Sequence, residues 1–224
     1  MISQILAPLF SQLWWGIILF LIIGVFKVFK VFKPFLKGKM GEFAVSAHVK
    51  LYLDKENYTL LNDCTLPDEQ NQSTQIDHIL LSPNGVFVIE TKNYKGWIFG
   101  GERQKMWTQK IYKKSYKFQN PLHQNYKHQK VLEDILSDIV EPELIHSVIV
   151  FMPDCEFKTQ MPANVFRGAA WIDYVKGFKA VMIPPMKLKR VHLRIEKEIL
   201  EKSWKTNRQH VQNLKDRHAE KIDG

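Results

Sequence analysis

Cysteine is nearly absent from this chain. Cys64 and Cys155 are the only two in 224 residues, and no CxxC or Cys/His cluster surrounds either. A zinc site built on cysteine therefore has no basis. A disulfide between them is allowed on paper, but two buried thiols in a reducing compartment fit better. Histidine offers no metal-ligand spacing either. His78, His123, His128 and His146 form no such pattern, and His123 and His128, five apart on one predicted helix, do not share a face well; all four read as polar or core residues. No glycine-rich phosphate loop occurs, which leaves nucleotide hydrolysis unsupported. No internal repeat is present.

Charge is absent from the first 26 residues and abundant afterwards. Met1–Phe26 carries no charged side chain, and Leu13–Phe26 reads LWWGIILFLIIGVF. A membrane span needs roughly 20 mostly apolar residues, so the stretch must extend back towards Ile5, taking in Pro8, Ser11 and Gln12. Its start is open, but its end is marked by Lys27, Lys30, Lys33, Lys37 and Lys39. Lysines on that side alone predict a single-pass anchor in a bacterial-type inner (plasma) membrane, with the body of the protein cytoplasmic. A cleaved signal peptide would want a basic start and a small-residue cleavage site, and a surface-lying helix would want a polar face. Neither is found. Phe26, Phe29, Phe32 and Phe35 recur every three residues and would continue the helix among snorkelling lysines until Pro34 and Gly38.

The rest has the composition of a folded domain, with 45% hydrophobic and 25% charged residues over the whole chain. The net charge of +9 and pI near 9.4 point to an anionic partner, nucleic acid or an anionic membrane surface, without choosing between them. Lys39–Asp54 fits both alternation and a helical stripe, and periodicity leaves that open. Tyr58–Leu66 reads as a strand. Gln75–Leu81 and Val86–Thr91 are strands joined by Ser82-Pro83-Asn84-Gly85, a hairpin signal. Ile79, Leu81, Val86 and Val88 make one face of this hairpin apolar, and Leu80, Phe87 and Ile89 the other. Strands apolar on both faces belong at the centre of a covered sheet.

Further strands are expected at Lys105–Tyr112, Ser115–Phe118, Leu144–Met152 and Asn164–Trp171, with a turn at Gly100-Gly101. Helices are expected at Pro121–Ile139, where Asn120 precedes a proline at the first helical position, and at Asp173–Ala180. A long charged helix is expected from Leu188 to about Ile222.

Asp77 in QIDHILL, with Glu90 and Lys92 in VIETK, is the group that could carry chemistry. Glu90 and Lys92, two apart on a strand, leave the same face. If Pro83 and Asn84 form a two-residue loop, Ser82 faces Gly85 and Asp77 falls opposite Glu90. If Gly85 bulges, the register slips by one and Asp77 leaves that face. Two adjacent carboxylates favour a bound cation, and hard oxygen ligands suit Mg²⁺ or Mn²⁺. Lys92 would hold an attacking water or balance a phosphate. This is equipment for metal-assisted phosphodiester hydrolysis, although a satisfied ion-pair network of the same residues is the alternative.

Four separated motifs in a fixed order give the chain a resemblance: GKMGE at Gly38–Glu42, IDHILLSPNGVFVIETKNYKGWIFG at Ile76–Gly100, Met106-Trp107, and FQNPLHQNYKHQKVLEDIL at Phe118–Leu136. Together they resemble the nuclease-related domain (NERD), over roughly half the chain. The resemblance implies an α/β fold of the PD-(D/E)xK, restriction-endonuclease-like kind: a central mixed sheet flanked by helices. It implies Asp77 and Glu90 as metal-binding acids, Lys92 as catalytic lysine, and Glu42 as an acid on the first helix and a further metal ligand. Gln124, the glutamine of NPLxQ, would orient the site or contact nucleic acid, or only hydrogen-bond at the helix start. It favours helix for Lys39–Asp54.

Between Lys95 and Lys117 seven Lys/Arg face one acid, Glu102, with Trp97, Trp107, Tyr112 and Tyr116 interleaved. Lys95, Lys110, Lys113 and Lys114 are candidates for nucleic-acid backbone contact, or for a lysine-solvated hairpin face. The expected organisation is an anchor at 1–37, a nuclease-like domain at 38–150 and an extension at 151–224, whose long helix would pack on the body or pair with another copy as a homo-oligomer. The functional expectation is a membrane-anchored, Mg²⁺-dependent nuclease acting on DNA or RNA. The alternative is a non-catalytic nucleic-acid- or protein-binding module of the same fold at the membrane.

Overall fold

The structure is a computed structural model and describes residues 18–25, 27, 38–67 and 73–199. The chain divides into two compact units, Met1–Met40 and Gly41–Gly224. In the first, residues 18–25 are helical and almost all exposed. Most of the expected anchor, and all of the predicted C-terminal helix beyond residue 199, lie outside the described residues. Among the described residues no helix is long and apolar enough to cross a membrane, so they lend the anchor no support.

Residues 38–52 are helical, and the stretch from residue 41, helix α1, opens the second unit. Next come β1 (Thr59–Pro67), β2 (Ser73–Ser82), β3 (Gly85–Lys92), β4 (Gly96–Phe99), β5 (Met106–Ile111) and β6 (Lys114–Gln119). Helix α2 (Pro121–Ile135), β7 (Ile145–Phe151), β8 (Cys155–Phe157), β9 (Val165–Arg167) and helix α3 (Trp171–Gly177) follow. Residues 185–199 form helix α4.

The main sheet has the order β1-β2-β3-β7-β9. It is mixed: β1, β2 and β3 run antiparallel, whereas β7 is parallel to both β3 and β9. As the two-faced hairpin pattern requires, β2 and β3 are interior and covered on both sides. Ile79, Leu81, Val86 and Val88 pack with Leu132 of α2 and with Val191 and Ile195 of α4. Leu80, Phe87 and Ile89 pack with Val45 and Val49 of α1 and with Trp171, Ile172 and Val175 of α3. Each such fully buried side chain stabilises the fold by roughly 1.5–3 kcal/mol. The described residues after Val150 thus complete the core of this unit.

A second sheet, β6-β5-β4-β8, was not legible as a unit. It packs on the end of the first through Ile98 and Trp107, which meet Ile149 and Phe151 of β7. The Trp107 and Phe151 rings stack at 6.0 Å with 7° between planes. Cys64 and Cys155 are free and buried, as expected.

Several element bounds differ from expectation, and two of the differences have a visible local cause. The strand expected at Asn164–Trp171 stops at Arg167, because Gly168 takes a left-handed φ of 62° and starts a turn. Helix α2 ends at Ile135 rather than Ile139. The Ser137 amide and hydroxyl both donate to the Asp134 carbonyl, tightening the chain into a turn. Helix α3 begins two residues early, at Trp171, whose ring fills the core.

Candidate active site

The site grows from the β2–β3 turn. Ser82 pairs with Gly85 and His78 with Ile89, so the loop is the two-residue one and no bulge intervenes. The Ser82 hydroxyl accepts from the Asn84 amide at 3.2 Å and donates to the Gly85 carbonyl at 2.9 Å, which pins the register. Continued by one residue, that register sets Asp77 opposite Glu90. The Thr91 amide donates to Asp77 Oδ2 at 2.8 Å and fixes the Asp77 carboxyl at the end of the hairpin.

The two acids live under different regimes. Asp77 is pushed up to about 7, first by burial and then by the charge of Glu90, with Glu42 adding to the rise; the Thr91 amide and Lys92 oppose it. Burial would raise Glu90 too, but His128 and Lys92 outweigh it and hold that carboxyl below its ordinary range. Glu90 is 2% exposed and Lys92 16%. The Lys92 ammonium donates to Glu90 Oε1 and, at 2.9 Å, to Gln124 Oε1. Lys92 therefore neutralises Glu90 directly and is steered by α2, while Asp77 receives only its longer-range field.

Helix α2 reaches the site with one face. Asn120 caps it, its side chain accepting from the Leu122 amide at 2.9 Å. Buried Asn125 donates to the Val88 carbonyl and the Ser147 hydroxyl at 2.8 Å each, clamping the helix across β3 and β7. Gln124 and His128, four apart, then both point at Glu90's surroundings. His128 Nε2 lies 3.4 Å from Glu90 Oε2, and His128 Nδ1 shares a 2.7 Å hydrogen bond with Thr74 Oγ1.

His128, expected as a polar or core residue, thus belongs to the site, and Thr74 comes with it. The i, i+4 relation of His128 to Gln124 was the available signal. For Thr74, which reaches the site only through His128, the sequence held none.

Glu42 arrives by a close approach of α1 to the end of β3. A Cβ on Gly41 would sit 3.1 Å from Thr91 Cγ2 and 3.2 Å from Asn93 Cβ, so only a glycine lets the backbone lie this near without displacement. That places Glu42 close enough for its charge to raise Asp77.

Among the described residues no group of three or more His, Cys, Asp or Glu side chains closes into a metal-holding set. The protein ligands on offer are thus the pair Asp77 and Glu90, with Glu42 within electrostatic reach. The pair fits a hard divalent cation. Glu90 Oε2 is buried and has only His128 Nε2 beside it, at 3.4 Å, and Asp77 bears the repulsion of Glu90 without a lysine of its own. Mg²⁺ characteristically uses one or two carboxylates, completing its shell with waters and phosphate oxygens.

The four candidate basic residues divide. Lys95 and Lys110 line one cavity with Trp97 and Tyr112. Lys113 and Lys114 lie at the exposed tip of the β5–β6 hairpin and are not among its lining residues.

The family profile of the nuclease-related domain, NERD, matches residues 37–152. An uncharacterized protein of Bacillus anthracis is 45% identical over 126 residues, covering 56% of this chain and 57% of that protein. The chain thus spans a little over half the length of that relative. No solved structure matches the chain significantly. The matched segment runs from the residue before Gly38 to the residue after β7 and contains Glu42, Asp77, Glu90, Lys92 and Gln124; with that profile covering just over half of its residues, the chain belongs to the nuclease-related domain family.

Proposed function

We propose that this protein is a divalent-metal-dependent nuclease that hydrolyses phosphodiester bonds of DNA or RNA. The observation that carries the reading is the convergence of Asp77 and Glu90 at one end of an apolar hairpin, with one lysine that pairs with Glu90. Asp77 and Glu90 would hold Mg²⁺ or Mn²⁺, which supplies Lewis-acid polarisation of the scissile phosphate when bound. Lys92 Nζ, kept in place by Glu90 and Gln124, presents its protons to a phosphate oxygen or to the attacking water. His128 and Thr74 fix the Glu90 carboxylate, and Glu42 adds negative charge on the cation's side. The buried surroundings strengthen each of these interactions relative to water.

The membrane anchor belongs to the same proposal. It rests on the uncharged stretch Met1–Phe26 followed at once by lysines, and it places the nuclease unit in the cytoplasm. A non-catalytic module is the second reading, and one observation favours it: Lys92 already neutralises Glu90. Incubating the full-length protein with end-labelled single-stranded and duplex DNA and RNA, in Mg²⁺, Mn²⁺ or EDTA, separates the two. Cleavage that needs metal and disappears in Lys92→Met supports the nuclease. Absence of cleavage from every substrate in both metals leaves the binding module in its place.

A further inference from the structure

The outer face of the second sheet has a composition that the catalytic reading does not use. Trp97 on β4 pairs with Lys110 on β5 and with Glu156 on β8, so all three leave the same face. Trp97 is 43% exposed and, at the turn of the neighbouring hairpin, Tyr112 is 93% exposed. The inward-facing neighbours Ile98 and Trp107 already fill the core beneath, so these aromatics are not needed to close it.

Two cations sit over the Trp97 ring: Lys158 Nζ at 4.9 Å and Lys110 Nζ at 5.7 Å from its centroid. The acids nearby are Asp154, which lines the cavity, and Glu156, which takes Lys158 at 2.5 Å. Lys95, Lys110 and Lys158, with Lys117 reaching Thr108 of the same face at 2.8 Å, outnumber them. Trp97, Lys110, Lys95 and Tyr112 border a cavity of about 530 Å³, within the size range of small-ligand sites. Gly96 makes the cavity's wall tight: its φ is 78°, and a Cβ there would lie 2.5 Å from the Lys110 carbonyl.

An exposed ring on an open sheet, bordered by lysines, meets the requirements of a nucleobase with its phosphates. A duplex hides its base faces in the stack, whereas a single strand offers them. We propose that this face is a stacking platform for single-stranded nucleic acid, with Trp97 taking an unpaired base and Lys110 and Lys158 its flanking phosphates. Trp97 is five residues beyond Lys92, so their Cα atoms lie no more than about 18 Å apart, a span that a strand of a few nucleotides can cover. The inference rests on the nucleic-acid reading above and adds strand preference to it.

Fluorescence anisotropy of the full-length protein in EDTA tests it, using a labelled oligothymidylate and a labelled duplex of the same length. Trp97→Ala should weaken single-strand binding roughly 5- to 150-fold, the range for losing one stacked base, while Trp97→Phe keeps most of it. Lys110→Ala with Lys158→Ala should lower the salt slope by about 1.4, since each lost phosphate contact removes about 0.7. All three altered proteins must still melt cooperatively. Undiminished single-strand affinity in Trp97→Ala, equal losses for strand and duplex, or no binding at low salt overturns the platform. Wild-type strand binding that depends on Trp97, found together with no metal-dependent cleavage of any substrate by the wild type, refutes the nuclease and not the platform.

Discussion

Asp77→Asn should make the metal-free protein more stable at pH 8. In the unfolded chain the Asp77 carboxyl has its ordinary value of 3.8, and in the folded protein it is pushed up to about 7. The folded state therefore binds the proton more tightly, and stability is lost as pH rises from about 4 through about 7. The full difference corresponds to roughly 4 kcal/mol; partial exposure of Asp77 to water reduces this to roughly 2–3 kcal/mol.

Asparagine mimics the protonated acid and keeps an oxygen to accept from the Thr91 amide. In a unit of this size roughly 1 kcal/mol moves the melting temperature by about 2–4 °C, so the variant should melt about 5–10 °C above wild type at pH 8. At pH 4 the two should coincide. Saturating Mn²⁺, at about 100 times its dissociation constant, should raise wild type by roughly 2.7 kcal/mol and the variant far less. Thermal melts at pH 4 and pH 8, with Mn²⁺ or EDTA, give all the comparisons. A wild type indifferent to Mn²⁺, together with a variant destabilised by roughly 3–5 kcal/mol, would establish the ion-pair network and refute the reasoning.

Lys92→Met leaves the Glu90 charge facing His128 alone; urea unfolding should show a loss of roughly 3 kcal/mol at pH 7.5, shrinking as acid protonates Glu90, and no such pH dependence contradicts the Lys92–Glu90 pairing. Asn125→Leu removes the clamp of α2 on β3 and β7, so its urea midpoint should fall by the equivalent of at least about 2 kcal/mol; a neutral effect means that packing alone seats α2. Thr74→Val strips His128 Nδ1 of its partner and should cost roughly 1–3 kcal/mol while lowering cleavage, whereas Thr74→Ser preserves both; indifference to the loss of the hydroxyl removes Thr74 from the site. For the anchor, a C-terminal reporter active only outside the cytoplasm should stay silent, and a bright signal reverses the orientation.

What the sequence disclosed and what it hid follow from the range of the interactions involved. The hairpin announced itself because Ile79 to Ile89 alternate between two buried faces around a two-residue loop, a local pattern. The same locality put Glu90 and Lys92 on one face but set Asp77 opposite Glu90 only for a two-residue loop, a choice that the pairing of Ser82 with Gly85 makes; Asn120-Pro121 marked the start of α2. Strands β4 and β8 did not show. They are four and three residues long, and they exist because they pair with each other across more than 50 positions. His128 joined the site for the same reason: the i, i+4 relation puts it on the face of Gln124, but its contact with Glu90 depends on how Asn125 seats α2 over β3 and β7.

The central claim is that Asp77 and Glu90 together hold a divalent cation. Equilibrium titration of the metal-free, full-length protein with Mn²⁺, followed by the electron paramagnetic resonance signal of the free ion, tests it without requiring a substrate. The account predicts saturable binding to the wild type that is weakened at least tenfold, about 1.4 kcal/mol, by either Asp77→Asn or Glu90→Gln. Equal Mn²⁺ uptake by the wild type and both variants, or none by any of them, would contradict it.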